Sequence, residues 1–116
     1  MQKYKDLPKC PVETAISFVG KKWNALIIRD LLTGKKRFNE LKRSVTGITQ
    51  KVLIATLRQL EDDGIVTRKE YKTVPLKVEY SLTDVGYSLL PVLNSLASWG
   101  TDYKLYVKLL EKQMKK

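Results

Sequence analysis

Basic side chains are the residues of this sequence with the most binding chemistry. The chain of 116 residues has 22 Lys and Arg against 12 Asp and Glu, which gives a formal charge of +10. Residues 35–58 contain seven basic residues and one acidic residue, Glu40, so more than half of the net charge lies in about one fifth of the chain. A concentration of this kind predicts an acidic partner.

Residues for catalysis are scarce in comparison. The sequence has no histidine, which removes the commonest general base and leaves a zinc site without its usual ligands. Its single cysteine, Cys10, cannot form a disulfide framework within the chain. Two Gly-Lys-Lys triplets, at 20–22 and 34–36, lack the earlier glycine of a phosphate-binding loop. Carboxylates remain without a convincing catalytic pair, so we expect no enzymatic activity, no cofactor and no metal.

The apolar residues of the chain are spread over short segments. No apolar run approaches the ~20 residues that a membrane span needs, and the N-terminal MQKYKDLPKC lacks the hydrophobic region of a signal peptide. The length fits one domain with a modest core, which dimerisation would extend. We therefore expect a cytoplasmic protein with no membrane partner.

The segment between Gly47 and Gly64 predicts a two-sided helix with Thr49 as its N-cap. One side collects the apolar residues Val52, Leu53, Leu57 and Leu60. The opposite side collects Lys51, Ile54, Ala55 and Arg58. This second side is slim and cationic, which suits close approach to a polyanion, although an ordinary solvated face explains the helix equally well when it is taken alone.

Helical patterns also precede this segment. One covers residues 12–19, and a second covers roughly 21–33, with a buried side made of Trp23, Leu26, Ile27 and Leu31. A basic loop at 35–37 leads into a short helix that carries Phe38, Leu41 and Val45. A tight turn at 46–48 then joins this helix to the two-sided one. Two helices joined in this way form a helix-turn-helix, whose second helix enters the major groove of DNA.

After Gly64 the pattern changes to that of β-strands. Residues 65–71 are rich in β-formers, and residues 78–82 alternate between apolar and polar side chains. The connection at 72–77 contains a proline and has a lysine at each end, so we predict a hairpin with a long basic loop. A hairpin that merely covers the core would explain the alternation, but not the basic residues Arg68, Lys69, Lys72 and Lys77. A helix-turn-helix followed by a basic hairpin is a winged helix.

The chain resembles the HxlR-type winged-helix transcriptional regulators of bacteria and archaea, which are relatives of the MarR group. The resemblance covers roughly residues 10–100 and rests on the order and spacing of several short motifs: Cys10-Pro11-Val12-Glu13, Gly20-Lys21-Lys22-Trp23, Arg37-Phe38-Asn39-Glu40-Leu41, Gly47-Ile48-Thr49, Asp63-Gly64-Ile65-Val66 and Val78-Glu79-Tyr80. It implies a mainly α fold with a small β-hairpin, and a homodimer whose terminal helices form the interface. It also implies binding to pseudo-palindromic double-stranded DNA operators, usually as a repressor and sometimes as an activator.

Two groups of residues are the predicted DNA contacts. The two-sided helix and its start are expected to read bases through Thr49, Gln50, Lys51, Ala55 and Arg58. The basic loop, the preceding helix and the wing are expected to hold phosphates or the minor groove through Arg37, Lys42, Arg43, Lys72 and Lys77. The alternative is a winged-helix adaptor that binds nucleic acid or an acidic protein without reading sequence.

The C-terminal part predicts a dimerisation arm. Thr83 is a plausible cap, Pro91 is expected to kink the helix that follows, and Gly100 is expected to break it. A further amphipathic stripe contains Tyr103, Tyr106, Val107, Leu110 and Met114. This stripe packs either on its own chain or on a partner subunit, and the resemblance favours the partner. We accordingly divide the chain into a DNA-binding domain, 1–100, and a dimerisation helix, 101–116.

Cys10 has two interpretations. The preceding Lys9 and the positive end of the helix that begins at Pro11 both favour the thiolate form. Several members of the family that the chain resembles use a cysteine at this place to sense oxidants or electrophiles, which makes such a small molecule a candidate signal. A small packed residue without a sensing role is the alternative.

Overall fold

The computed structural model describes residues 6–115. The predicted N-terminal and C-terminal units therefore extend, at 1–5 and at 116, outside the described residues. The elements, in chain order, are α1 (Pro11–Val19), α2 (Lys22–Leu31), β1 (Lys36–Arg37), α3 (Phe38–Ser44), α4 (Gln50–Asp62), β2 (Val66–Tyr71), β3 (Lys77–Leu82), α5 (Asp84–Tyr87) and α6 (Leu90–Met114).

The helix-turn-helix consists of α3, a short turn and α4. Gly47 occupies the turn with φ of +89°, a left-handed conformation that side chains other than glycine rarely adopt. The hydroxyl of Thr49 accepts a hydrogen bond from the Val52 backbone N–H at 3.2 Å, so the predicted N-cap of α4 is confirmed. Gly64, with φ of +77°, ends α4 and turns the chain directly into β2.

A three-stranded antiparallel sheet in the order β1-β3-β2 forms the wing. The hairpin of β2 and β3 was predicted and is confirmed, with Val66 opposite Leu82 and Tyr71 opposite Lys77. The interpretation of residues 35–37 as a loop was wrong at Lys36–Arg37, which pairs with β3 as the strand β1. A strand of two residues is too short to show an alternating pattern in the sequence. It is defined only by its pairing with β3.

The core lies where α2, α3, α4 and the start of the hairpin meet. Its buried residues include Ile27, Ile28, Leu31, Leu41, Val45, Leu53, Leu57, Leu60, Val66 and Leu82. Trp23 and Leu26 were predicted on the buried side of α2, and they are half-buried and pack against this core. Gly86 of α5 lies against the Ile65 carbonyl so closely that a Cβ would collide with it, so α5 is held tightly to the beginning of the wing.

The C-terminal helices differ from the prediction at two residues. Pro91 does not kink a continuous helix, because it lies in the first turn of α6, where a missing backbone N–H disrupts no helical hydrogen bond. Gly100 does not break α6, which continues to Met114. A glycine in a helix interior costs only about 1 kcal/mol relative to alanine, and the helix passes through it. The predicted boundary between residues 100 and 101 therefore falls inside one helix.

Candidate nucleic-acid interface

The outer side of α4 is the centre of the site. Its inner side buries Leu53, Leu57 and Leu60, and α4 is thereby fixed on the core. Outward, the structure brings together Gln50, Lys51, Ala55 and Arg58, all exposed, around the half-buried Ile54. Thr49 lies beside them at the start of the helix, with its hydroxyl engaged in the cap. The five residues predicted to read bases thus form one exposed surface.

A groove of about 580 Å³ separates α4 from the wing. Gln50 and Arg58 line it from α4, and Arg68 and Tyr80 line it from the sheet. Arg68 was missing from the predicted contacts. The register explains its place, because Arg68 lies opposite Tyr80 and on the same sheet face as the core residues Val66 and Leu82. Its guanidinium also pairs with Glu70 at 3.2 Å.

A second groove of about 580 Å³ lies between α3 and the wing. It brings together three of the predicted phosphate contacts, Arg37, Arg43 and Lys77. The one carboxylate that lines it, Glu40, accepts a hydrogen bond from the Arg37 backbone N–H at 2.8 Å and thus caps α3. The groove is cationic and open to solvent. Lys42 and Lys72 are also exposed but line neither groove.

The far face of the wing carries a cluster around Glu79. Lys35 Nζ and Lys77 Nζ each lie 3.6 Å from one oxygen of this carboxylate, whose side chain is only 12% exposed. The ammonium group of Lys77 also lies 4.9 Å from the centre of the Tyr71 ring. The Tyr71 hydroxyl and the two lysines lower the pKa of Glu79, so it is ionised at neutral pH. Lys77 is therefore not a free cation in the unbound protein.

Asp30 links α2 to the helix-turn-helix through hydrogen bonds. Its carboxylate accepts hydrogen bonds from Ser44 Oγ at 2.7 Å and from Arg29 Nε at 2.8 Å. Burial alone would raise the pKa of Asp30, but these two hydrogen bonds outweigh it and lower the pKa. The link joins α2 to the end of α3, directly before the turn that leads into α4.

The predicted dimerisation stripe is largely solvent-accessible in the single chain. Tyr103, Tyr106, Leu110 and Met114 are exposed by 51, 56, 39 and 86%, and Val107 is half-buried. Trp99 extends the stripe by one turn, and its ring stacks on Tyr103 with 5.3 Å between ring centres. Most of the stripe is thus uncovered in the single chain, and packing on a partner subunit stays a prediction.

Cys10 occupies the N-cap position of α1, and it is exposed. The alternative of a packed cysteine therefore does not hold within one subunit. Two apolar residues of α1, Val12 and Ile16, are exposed by 64 and 54%. The start of α1 thus combines an accessible thiol with an uncovered apolar side.

No group of His, Cys, Asp and Glu side chains within residues 6–115 has the arrangement of a metal site. None of the helices described is both long enough and apolar enough to cross a membrane. The candidate functional site is the cationic surface of α4 and the wing.

A helix-turn-helix with a basic wing and an exposed cationic second helix defines the class of winged-helix DNA-binding regulators. A family model described as HxlR-like helix-turn-helix matches residues 18–107, and the chain belongs to this family. A curated relative from Bacillus subtilis (strain 168), the uncharacterized HTH-type transcriptional regulator YdeP, is 46% identical over 106 residues, which cover 91% of this chain and 83% of YdeP. The chain is accordingly a DNA-binding transcriptional regulator.

Solved structures agree with the fold. The redox regulator HypR in its oxidized form is 46% identical and superposes with a TM-score of 0.75, covering 80% of this chain and 96% of HypR. The reduced form of the transcriptional regulator YodB from B. subtilis is 41% identical with a TM-score of 0.71, covering 79% of this chain and 91% of YodB. The predicted winged helix-turn-helix is therefore confirmed.

Proposed function

We propose that this regulator is a repressor that binds a pseudo-palindromic operator as a homodimer. The observation that carries the proposal is the outer surface of α4, where Gln50, Lys51, Ala55 and Arg58 are exposed together. The major groove, about 12 Å wide, admits a helix of this kind, and the small Ala55 allows close approach to the base edges. In this arrangement Arg58 and Lys51 donate hydrogen bonds to bases, and Gln50 and Thr49 contact bases from the start of the helix.

Phosphate contacts are proposed on both sides of α4. Arg37 and Arg43 line the groove beside α3, Lys42 is exposed on the same helix, and Lys72 is exposed in the loop of the wing. Lys77 belongs to this set by its position, but its ammonium group forms an ion pair with Glu79 in the unbound protein. Contacts of this type give affinity and register without sequence preference.

The homodimer is proposed to form through α6, together with α1. The exposed stripe from Trp99 to Met114 is long, apolar and aromatic, and burial in a partner would remove it from water. A two-fold dimer presents two copies of α4 to two half-sites, which lie one helical turn, about 34 Å, apart on one side of the duplex. One subunit alone would bind a single half-site.

An oxidant or electrophile that acts at Cys10 is the proposed signal. The support for it is the accessible thiol at the N-cap of α1 and the similarity to HypR and YodB, solved in oxidized and reduced forms respectively. Attack of the Cys10 thiolate on an oxidised small thiol forms a mixed disulfide and releases one equivalent of the reduced thiol. The added group would lie beside Val12 and Ile16, on the surface proposed to meet the partner.

Footprinting on DNA upstream of the regulator's own gene and neighbouring genes tests the central proposal. Two protected half-sites related by a two-fold axis are expected, and a duplex with the same composition in shuffled order should bind more weakly. Protection without sequence preference would instead identify a sequence-independent adaptor. A reporter gene placed behind the protected site then decides the sign of regulation, because a repressor lowers its expression.

A further inference from the structure

One face of the wing sheet combines predicted phosphate contacts with a carboxylate. Strand pairing places Lys69, Glu79 and Arg37 in one cross-strand row, and Tyr71 and Lys77 in the next. Residues directly opposite each other in an antiparallel sheet share a face, so these side chains lie on the same face as a single carboxylate. That carboxylate, Glu79, holds Lys35 through one oxygen and Lys77 through the other.

The carboxylate of Glu79 is poorly exposed to solvent. Its side chain is 12% exposed, and among the described residues its buried Oε1 accepts no hydrogen bond, so Lys35 is the charge that compensates this oxygen. The lysines themselves are more exposed, Lys35 by 63% and Lys77 by 35%, so the contrast with the other ion pair of the hairpin lies in the carboxylate. Glu70, which pairs with Arg68 on the opposite face, is exposed by 46%. Solvent and salt weaken a pair with an exposed carboxylate more than one with a poorly exposed carboxylate.

We propose that Glu79 is a positioning residue that limits the affinity of the wing for DNA phosphates by holding the ammonium groups of Lys35 and Lys77. Either lysine can bind a phosphate fully only by leaving Glu79, which would then lose one of its two charged partners while its carboxylate stays poorly exposed. The wing consequently contributes fewer salt-sensitive contacts than its lysines would allow. A lower sequence-independent affinity reduces competition from the many wrong sites on a chromosome.

This inference rests on the proposed binding of duplex DNA, and its test needs no operator. The affinity of the full chain for a mixed-sequence duplex is measured over a range of salt concentrations for the wild type, Glu79→Gln and Glu70→Gln. Each substitution removes one negative charge from the same hairpin, but only Glu79→Gln releases two lysines from a poorly exposed carboxylate. The logarithmic salt slope of Glu79→Gln should be steeper than that of the wild type by about 0.9 to 1.8, since each new phosphate contact adds about 0.9.

The matched control separates release of the lysines from a general change of charge. Glu70→Gln should change the slope by clearly less than Glu79→Gln. Equal changes in the two variants, or no steepening in Glu79→Gln, would overturn the inference. Absence of duplex binding by the wild type would overturn the proposed function itself, and the inference with it.

A second pair of variants identifies the released groups and remains decisive if Glu79→Gln does not fold. Lys35→Gln combined with Lys77→Gln should lower the slope of the wild type by clearly less than the value of about 1.8 expected for two full phosphate contacts. The same two substitutions added to Glu79→Gln should remove the steepening. A loss of the full value in the wild-type background would show that both lysines already bind phosphates, and would overturn the inference.

Discussion

Ser44 Oγ donates a 2.7 Å hydrogen bond to Asp30 Oδ2, which ties the end of α3 to α2 across fourteen residues of sequence. The Asp30 side chain is only 12% exposed and also accepts the bond from Arg29. This contact precedes the turn into α4 by only a few residues. A carboxylate outside the helix-turn-helix therefore helps to hold the end of α3, directly before the turn into α4.

Ser44→Ala should destabilise the protein by about 1 kcal/mol at neutral pH, because it removes one hydrogen bond to a poorly exposed carboxylate. The measurement is chemical unfolding of wild type and variant. Ser17→Ala, which removes a hydroxyl bonded only to the Thr14 carbonyl of its own helix, is the control and should cost less. A loss from Ser44→Ala no larger than that of the control would contradict the role of this link.

Asp30→Asn should remove the acid-sensitive part of the stability that the Asp30 carboxylate contributes. The folded-state pKa of Asp30 lies below the ordinary value of 3.8, so the ionised carboxylate contributes stability above that value, and the contribution is lost as the pH falls through the folded-state pKa. The stability difference between wild type and Asp30→Asn should accordingly be largest near neutral pH and shrink below about pH 4. Unfolding curves measured over this pH range check the expectation, and a difference that is independent of pH would contradict it.

Arg58→Ala should weaken operator binding more than binding to a shuffled duplex, because a base contact carries discrimination of about 1 to 3 kcal/mol. Lys72→Ala is the comparison, since a phosphate contact in the wing affects both duplexes alike and lowers the salt slope by about 0.9. Binding titrations of both variants on both duplexes give the answer. Equal losses for Arg58→Ala on the two duplexes would reclassify it as a phosphate contact.

Deletion of residues 101–116 should dissociate the dimer and abolish operator binding, because it removes the stripe from Tyr103 to Met114. Sedimentation at micromolar concentration measures the state of assembly. Tyr106→Glu in the full chain is a milder variant that keeps the helix and places a charge within the stripe; it should also weaken the dimer. A dimer that survives both changes would place the interface outside this stripe, with α1 alone as the next candidate.

Oxidation should weaken operator binding through Cys10 if this thiol receives the signal. Operator affinity is measured before and after diamide or a quinone, in wild type and in Cys10→Ser. A Cys10 to Cys10 bridge across the dimer needs α-carbons within ~7 Å, so mass spectrometry should show a mixed disulfide or an electrophile adduct instead. An equal response in Cys10→Ser, or no response in the wild type, would assign the signal to another route.

The local elements of this protein follow from the sequence alone. Apolar spacing predicts which side of α4 is buried, Thr49 has a side chain that caps, and Gly64 allows the left-handed residue that ends the helix. Each of these features depends on residues within about one or two helical turns. Such interactions join residues that are close in the sequence, so periodicity and capping rules predict them.

The pairings between distant segments were decided only by the tertiary structure. Strand β1 exists through β3, and Arg68 faces α4 because of the hairpin register. Glu79 and Lys35 are more than forty positions apart in the sequence, and they form an ion pair only because the folded sheet brings them together. The helix α6 continues through Gly100, because a weak local preference against helix is smaller than the cost of interrupting a long helical hydrogen-bond network. Partners of this kind depend on strand register and packing, which single-residue preferences do not specify.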